Sequence, residues 1–142
     1  MTINEIQNQI IEEFELFDDW TDKYEYIIEM GKKLSDLDAQ FKVDDNKIKG
    51  CQSNVWLTSE LKDSKLNFFA DSDAIIVKGL VSMLIRVLSG HSPNDIANAD
   101  LYFINKIGMT QHLAQTRSNG LLSMVKQMKF YGLAYKAKMS KD

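Results

Sequence analysis

The chain has 142 residues, 44% of them hydrophobic, with a formal net charge of −3, which is enough length and apolar content for one domain over residues 1–142 with a substantial core. Of its 20 acidic residues 13 fall in the first 50 positions, against 6 of its 17 basic ones, so an acidic N-terminal third precedes a mildly basic remainder. No Lys/Arg run is interleaved with aromatics, which argues against nucleic acid, and one cysteine, Cys51, can build neither an internal disulfide nor a multi-thiolate metal site.

In chain order, "MTINEIQNQIIEEFELF" lacks the cationic leader and small-residue cleavage site of a secretory signal. Thr2 and Glu5 instead fit a capping box, with Ile3, Ile6, Ile10, Phe14 and Phe17 following at helical spacing. "DDW" allows a break, with Asp18 or Asp19 as the next cap. Trp20, Tyr24, Ile27, Ile28, Gly31 and Leu34 trace a second amphipathic helix, ending near Lys32 and Lys33, which suit its negative end.

Residues 35–46 are polar and aperiodic, a connector with Leu37, Phe41 and Val43 as expected anchors. "NVWLTSEL" and "KLNFFADS", separated by the turn-like "KDS", predict a hairpin, with Trp56 expected in the core of the sheet. Ser72 or Asp73 is the expected cap of a helix over 74–89. That helix is apolar almost all round, leaving only Lys78, Ser82 and Arg86 as a polar stripe, so it is expected to be central and buried. Its core, "AIIVKGLVSMLIRVL", is 15 residues long and broken by two charges, short of the roughly 20 apolar residues of a bilayer span. No membrane partner is expected.

Ser92 as cap with Pro93 at the first position starts a short helix, and another runs through Tyr102, Phe103 and Ile107. "GMTQHLAQT" is expected as a loop before a last helix near 118–138, with Leu121, Val125, Met128, Gly132 and Tyr135 on one face. Helices before and after a strand pair predict an α+β fold with a small antiparallel sheet packed by helices.

Cys51 is the residue with the most chemistry to offer. A lone cysteine is ordinarily a small buried hydrophobe. Its flanks here, Lys49-Gly50 and Gln52-Ser53-Asn54, are not the neighbours of a core residue. Gly50 can adopt a positive φ that aims the next side chain outward or into a cleft, making the thiol a candidate nucleophile. An ordinary thiol, with a pKa near 8.5, is mostly protonated at neutral pH and profits from a positive neighbour. Lys47 and Lys49 are near in sequence but read as solvated. Arg117, just before the last helix, is either a cap-region side chain or such a partner. His112 could pair with Cys51, but no Asn or Asp is tied to it by spacing, and His91 reads as helix-terminal. No phosphate loop, HExxH-type zinc motif or dinucleotide fingerprint is present, so no cofactor or metal is expected on the chain itself.

Four blocks, "YEYIIEMGKKL", "NKIKGCQSNVWL", "FFADSDAIIVKGL" and "GMTQHLAQTRSNGLLSM", together resemble the SufE-type sulfur-acceptor proteins of iron–sulfur cluster assembly. The connector lacks the paired prolines common in that family, and Ala114 and Gln115 stand where many members carry Ser and Pro. The resemblance implies an α+β fold of about three antiparallel strands packed with helices, similar to the IscU scaffold. It implies that Cys51 takes persulfide sulfur from a SufS-like cysteine desulfurase, stimulates that enzyme, and passes sulfur to a SufBCD-type scaffold. The pyridoxal phosphate (PLP) of this chemistry belongs to the partner desulfurase. Arg117 is then a stabiliser of the sulfur-bearing anion, Asp73 a residue that holds the acceptor loop closed, and Gly50, Gln52 and Ser53 loop neighbours that meet the partner. A cytoplasmic location fits a reduced thiol, and both monomer and homodimer stay open. The competing expectation is a thiol-dependent redox enzyme or cysteine hydrolase using Cys51.

Overall fold

The computed structural model describes residues 1–140. Helix α1, Ile3–Glu15, starts with the expected capping box: Thr2 Oγ1 accepts the Glu5 N–H and Glu5 Oε1 accepts the Thr2 N–H. Asp19, the second of the two candidate caps, opens α2, Trp20–Lys32, by accepting the Asp22 N–H. The connector forms two short 3₁₀ turns, Ala39–Phe41 and Asp44–Asn46. Leu37 is buried, whereas Phe41 and Val43, also expected as anchors, are exposed.

Strands β1, Val55–Lys62, and β2, Lys65–Ser72, pair antiparallel with Val55 opposite Ser72 and Lys62 opposite Lys65. The turn holds two residues rather than three. Asp63 and Ser64 both take positive φ (54° and 64°), the left-handed pair that matches strand twist in a tight hairpin. About three strands were expected and two form. The place of a third is taken by single bridges, Lys47 with Trp56 on the outer side of β1 and Leu66 with His91 on the outer side of β2. Val55 and Leu57 are buried. Trp56 points to the opposite face and is only half-buried, contrary to its expected place in the core, because strand side chains alternate. The Lys42 ammonium lies 5.8 Å from its ring centroid.

After β2 come α3 (Ile75–Leu88), α4 (Pro93–Ala97, capped by Ser92), α5 (Phe103–Lys106) and α6 (Met109–His112), the last lying within the segment expected to be loop. Helix α7, Gln115–Ser140, is longer at both ends than expected and buries Leu121, Met124, Met128 and Gly132. Val125 and Tyr135 of its expected face are half-buried. Among the described residues no helix is long and apolar enough to cross a membrane.

Helix α3 is the centre of the molecule, with Leu80, Val81, Met83, Leu84, Val87 and Leu88 at or near zero exposure. Each residue of its polar stripe finds a partner. Lys78 pairs with Asp71 of β2 (3.3 Å) and Asp36 of the connector (3.6 Å). Ser82 Oγ donates to the Met30 carbonyl (3.0 Å). Arg86 forks onto Glu13 of α1 (2.7 and 2.6 Å), and this guanidinium holds the Glu13 carboxyl below its usual range despite burial. Gln7, fully buried, closes the base of the fold by donating to the Asp100 carbonyl (3.0 Å) and accepting the Phe103 N–H (3.2 Å).

Helices α2 and α3 cross at Gly31 and Gly79. A Cβ at Gly79 would overlap the Ile27 carbonyl, and one at Gly31 would stand 2.7 Å from the Gly79 nitrogen. Gly79→Ala is expected to lower stability by about 1–3 kcal/mol. Backbone cannot yield as a side chain does, so the overlap outweighs the gain of up to about 1 kcal/mol in helix propensity. Urea unfolding monitored by circular dichroism checks this. An unchanged or raised midpoint would show that the crossing relaxes.

Candidate functional site around Cys51

The segment 47–56 forms a small hairpin in which the Lys47–Trp56 bridge and the Ile48 N–H to Val55 carbonyl bond (2.8 Å) close the base. Buried Ile48 and Val55 anchor both stems. The polar tip between them carries Cys51. Gly50 has φ 94°, the left-handed value anticipated from its sequence, and a Cβ there would run into Ser123 Oγ of α7. The tip therefore turns back onto the start of α7.

That turn sends Cys51 inward. Its thiol is half-buried and donates to the Gly120 carbonyl at 3.5 Å. It opens on a cavity of about 250 Å³ lined by Gln52, Ser53, Leu80, Thr116, Arg117 and Met124 among others. Gly120 lies against the sulfur: a Cβ there would sit 3.5 Å from Sγ, at ordinary contact distance. Burial pushes the thiol above the usual cysteine range, because an anion in this pocket would lose hydration. In this conformation the sulfur is shielded and protonated.

Arg117 lies in the first turn of α7, exposed, and lines the same cavity. It is free to meet an anion there: among the described residues it makes no ion pair. Gln52 and Ser53 line the cavity beside Cys51, so the structure brings together Gly50, Cys51, Gln52, Ser53 and Arg117. His112 is held elsewhere. Its ring stacks on Trp20 (centroids 4.2 Å, 16°), its Nδ1 meets the Gly108 carbonyl at 2.9 Å, and it does not line the cavity. Lys47 is engaged with Asp44 (3.1 Å).

Asp73 departs from its expected place as a helix cap. It does not cap α3: the cap position is Ala74, without a side-chain cap bond, and the Ser72 hydroxyl accepts the Ala74 N–H (3.2 Å). The Asp73 carboxylate instead accepts the Asn54 N–H (3.1 Å) and the Asn54 side-chain amide (2.8 Å). Asn54 returns the contact, its carbonyl accepting the Ser72 hydroxyl (2.8 Å) and the Asp73 N–H (3.3 Å). Four hydrogen bonds thus clamp the C-terminal stem of the cysteine loop to the β2–α3 junction. Asn54 was not singled out in the sequence; its place directly after the polar tip was the only signal, and its partner lies 19 residues away.

Asp71, also missed, holds that junction from within. It is 5% exposed, between Lys42 (2.9 Å) and Lys78 (3.3 Å), with the Ser72 N–H on its Oδ1 (2.8 Å). Burial alone would raise its pKa, but the Lys42 ammonium, the Ser72 N–H and Lys78 outweigh it and hold the carboxyl below the usual range. It was hidden because a charge inside "FFADS" reads as a solvent-facing strand position.

Asp73→Ala removes two bonds to a carboxylate and leaves α3 its cap arrangement. If those bonds hold the loop by about 1.4 kcal/mol, alkylation of Cys51 by iodoacetamide speeds up about tenfold, without the loss of stability that a missing helix cap would bring. Equal rates in mutant and wild type, both folded, would show that Asp73 does not restrain the loop.

The chain is similar to known proteins along most of its length. A family model described as "SufE: Fe-S metabolism associated domain" matches residues 8–131. An uncharacterised SufE-like protein of Rhizobium meliloti is 40% identical over 127 residues, covering 86% of this chain and 91% of that one. A counterpart in Rhizobium etli is 42% identical over 127 residues, 86% of each chain. The "SufE-like protein 1, chloroplastic/mitochondrial" of Arabidopsis thaliana is 35% identical over 135 residues, covering 94% of this chain and 36% of that protein. The solution structure of a hypothetical protein from Thermus thermophilus shares the fold, with a TM-score of 0.75 over 91% of this chain and 94% of that one, at 16% identity.

Proposed function

The chain belongs to the SufE family, and with it to iron–sulfur metabolism; within that role we propose that Cys51 accepts sulfur from the persulfide of a SufS-like cysteine desulfurase, stimulates that enzyme, and delivers sulfur to a SufBCD-type scaffold. The observation that carries the reading is the position of the only thiol, at the tip of a loop shut at its base yet turned into a small cavity. A core cysteine would not sit on a polar tip, and a permanently exposed one would not be sheltered.

The step is an exchange. The Cys51 thiol gives its proton to solvent, and its thiolate attacks the outer sulfur of the donor persulfide. The S–S bond of the donor breaks and the desulfurase cysteine leaves as a thiolate. Cys51 now carries the persulfide, with no net oxidation. The attack requires the loop to swing out, because a thiol under Gly120 cannot reach a sulfur on another protein. Swinging out also removes the burial that raises the thiol's pKa, so exposure and activation come together. Back in the cavity, the persulfide is kept from oxidants and reductants, with Arg117 as the cation positioned for its charge. The PLP that generates the donor persulfide belongs to the desulfurase. The cytoplasm, where thiols stay reduced, suits this cycle.

A cysteine hydrolase finds less support, since His112 is stacked on Trp20 and, among the described residues, no acid orients it toward Cys51. A thiol redox enzyme would need a second thiol, and Cys51 stands alone.

Incubation with a SufS-like desulfurase, PLP and cysteine should add the mass of one sulfur to Cys51, lost on reduction. Cys51→Ser should take up none while melting close to the wild type. A Cys51→Ser protein that stimulated the desulfurase fully would replace sulfur transfer by activation alone.

Arg117→Ala should slow sulfur uptake while leaving the melting temperature nearly unchanged. If the guanidinium favours the sulfur anion, the pH midpoint of Cys51 alkylation moves upward in the mutant. An unmoved midpoint would remove that electrostatic role.

A further inference from the structure

Helix α7 runs beyond the part of the fold that covers it: after Tyr135 every described residue is exposed. Its outward side is not polar. Leu122 is 51%, Phe130 61% and Leu133 57% exposed. At 100° per residue these three share a band of about 120° with Lys126, Lys129 and Lys136. Among the described residues none of these lysines is in an ion pair. Large exposed apolar side chains set among like charges mark an interaction surface of opposite sign.

A surface of that kind exists on the same chain. Leu16, at the end of α1, is 81% exposed, the highest value among its large hydrophobic side chains. Exposed carboxylates lie close to it in sequence: Glu12 one helical turn back, Glu15 beside it, and Asp18 and Asp22 shortly after. The two surfaces belong to helices that pack on different partners, α1 mainly on α3 and α5 and α7 mainly on α4 and α3. The basic stripe also repels its own image, which disfavours pairing of one α7 with another.

We infer that the outward stripe of α7 docks on the acidic corner around Leu16 of a second copy of this chain. The contact joins different surfaces, so it is head-to-tail and builds short chains or rings rather than an isologous dimer. The inference assumes nothing about what Cys51 carries.

The test is sedimentation velocity on the full chain, from micromolar to millimolar concentration, at low and high salt. The expected result is a mass that rises with concentration at low salt and falls to the monomer at high salt, where exposed charges are screened. A Phe130→Glu/Leu133→Glu protein should stay monomeric throughout. Lys126→Glu/Lys129→Glu and Glu12→Lys/Glu15→Lys proteins should each be monomeric alone and associate again when mixed, because mixing restores opposite charges at both surfaces. Circular dichroism checks that each variant is folded, and the wild-type salt response stands without any variant. A wild type that is monomeric at every concentration and salt would overturn the inference. So would association indifferent to salt, association surviving in either charge-reversed protein alone, or charge-reversed proteins that fail to associate when mixed.

Discussion

The charged stripe on a buried helix is the constraint from which the rest of this structure follows. Helix α3 has apolar neighbours on nearly every side, and the side chains of Lys78 and Arg86 are only 22% and 33% exposed, so their charges are partly drawn out of water. Lys78 and Arg86 must therefore be met by carboxylates brought from elsewhere. Glu13 comes from α1 and Asp71 from β2. These pairings fix the α1–α3 packing and the end of the hairpin against the helix. Once Asp71 is committed to Lys78 and Lys42, the next two residues, Ser72 and Asp73, emerge at a defined place and angle. That place is where Asn54 arrives from the cysteine loop.

A sulfur carrier faces opposed demands. Its thiol must be reactive when it meets a donor and inert at other times. In the proposed cycle the demands are separated in space: the cavity raises the thiol's pKa by burial, and a loop swung outward would lose that burial. In that cycle the strength of the clamp would set how often the thiol is outside. Ile48 and Val55 hold the stems by burial and a backbone bond, the kind of contact that opens with the whole fold. The Asn54–Asp73 contacts lie at an exposed junction, compete with water, and can open alone. The proposed motion thus falls to the tip while the base stays fixed. Asp71 itself adds a dependence on acid. Its carboxyl is held below the usual range, so the stability it contributes is present above about pH 4, the ordinary aspartate pKa. That stability is lost as pH falls through the lowered value.

Amphipathic periodicity was enough to place most helices and the hairpin, since a 3.6-residue or two-residue repeat is a local property. The capping box of Thr2 and Glu5, the Asp19 cap and the Ser92-Pro93 start were legible for the same reason: both partners lie within one turn. The flanks of Cys51 and the positive φ at Gly50 were legible too, because glycine next to a polar tip has few other uses. Neither the absent third strand nor the exposure of Phe41 and Val43 could be read in this way. Edge pairing and anchoring depend on what stands opposite, and a polar connector carries no mark of it.

What the sequence determined by itself was the set of parts: one thiol, one central helix with three polar residues, a strand pair, and the motif blocks that mark the family. Tertiary structure decided which parts meet. Asp73 turned from an expected helix cap to a partner of Asn54, because α3 starts at Ile75, one residue later than expected, and the loop stem arrives beside the carboxylate. Trp56 left the core, as the register gave the inner face to Val55 and Leu57. Gly120 and Arg117 came to Cys51 from more than sixty positions away. Such encounters are set by the packing of α7 across α3, where summed contacts over whole helices outweigh any local preference that a short stretch of sequence can express.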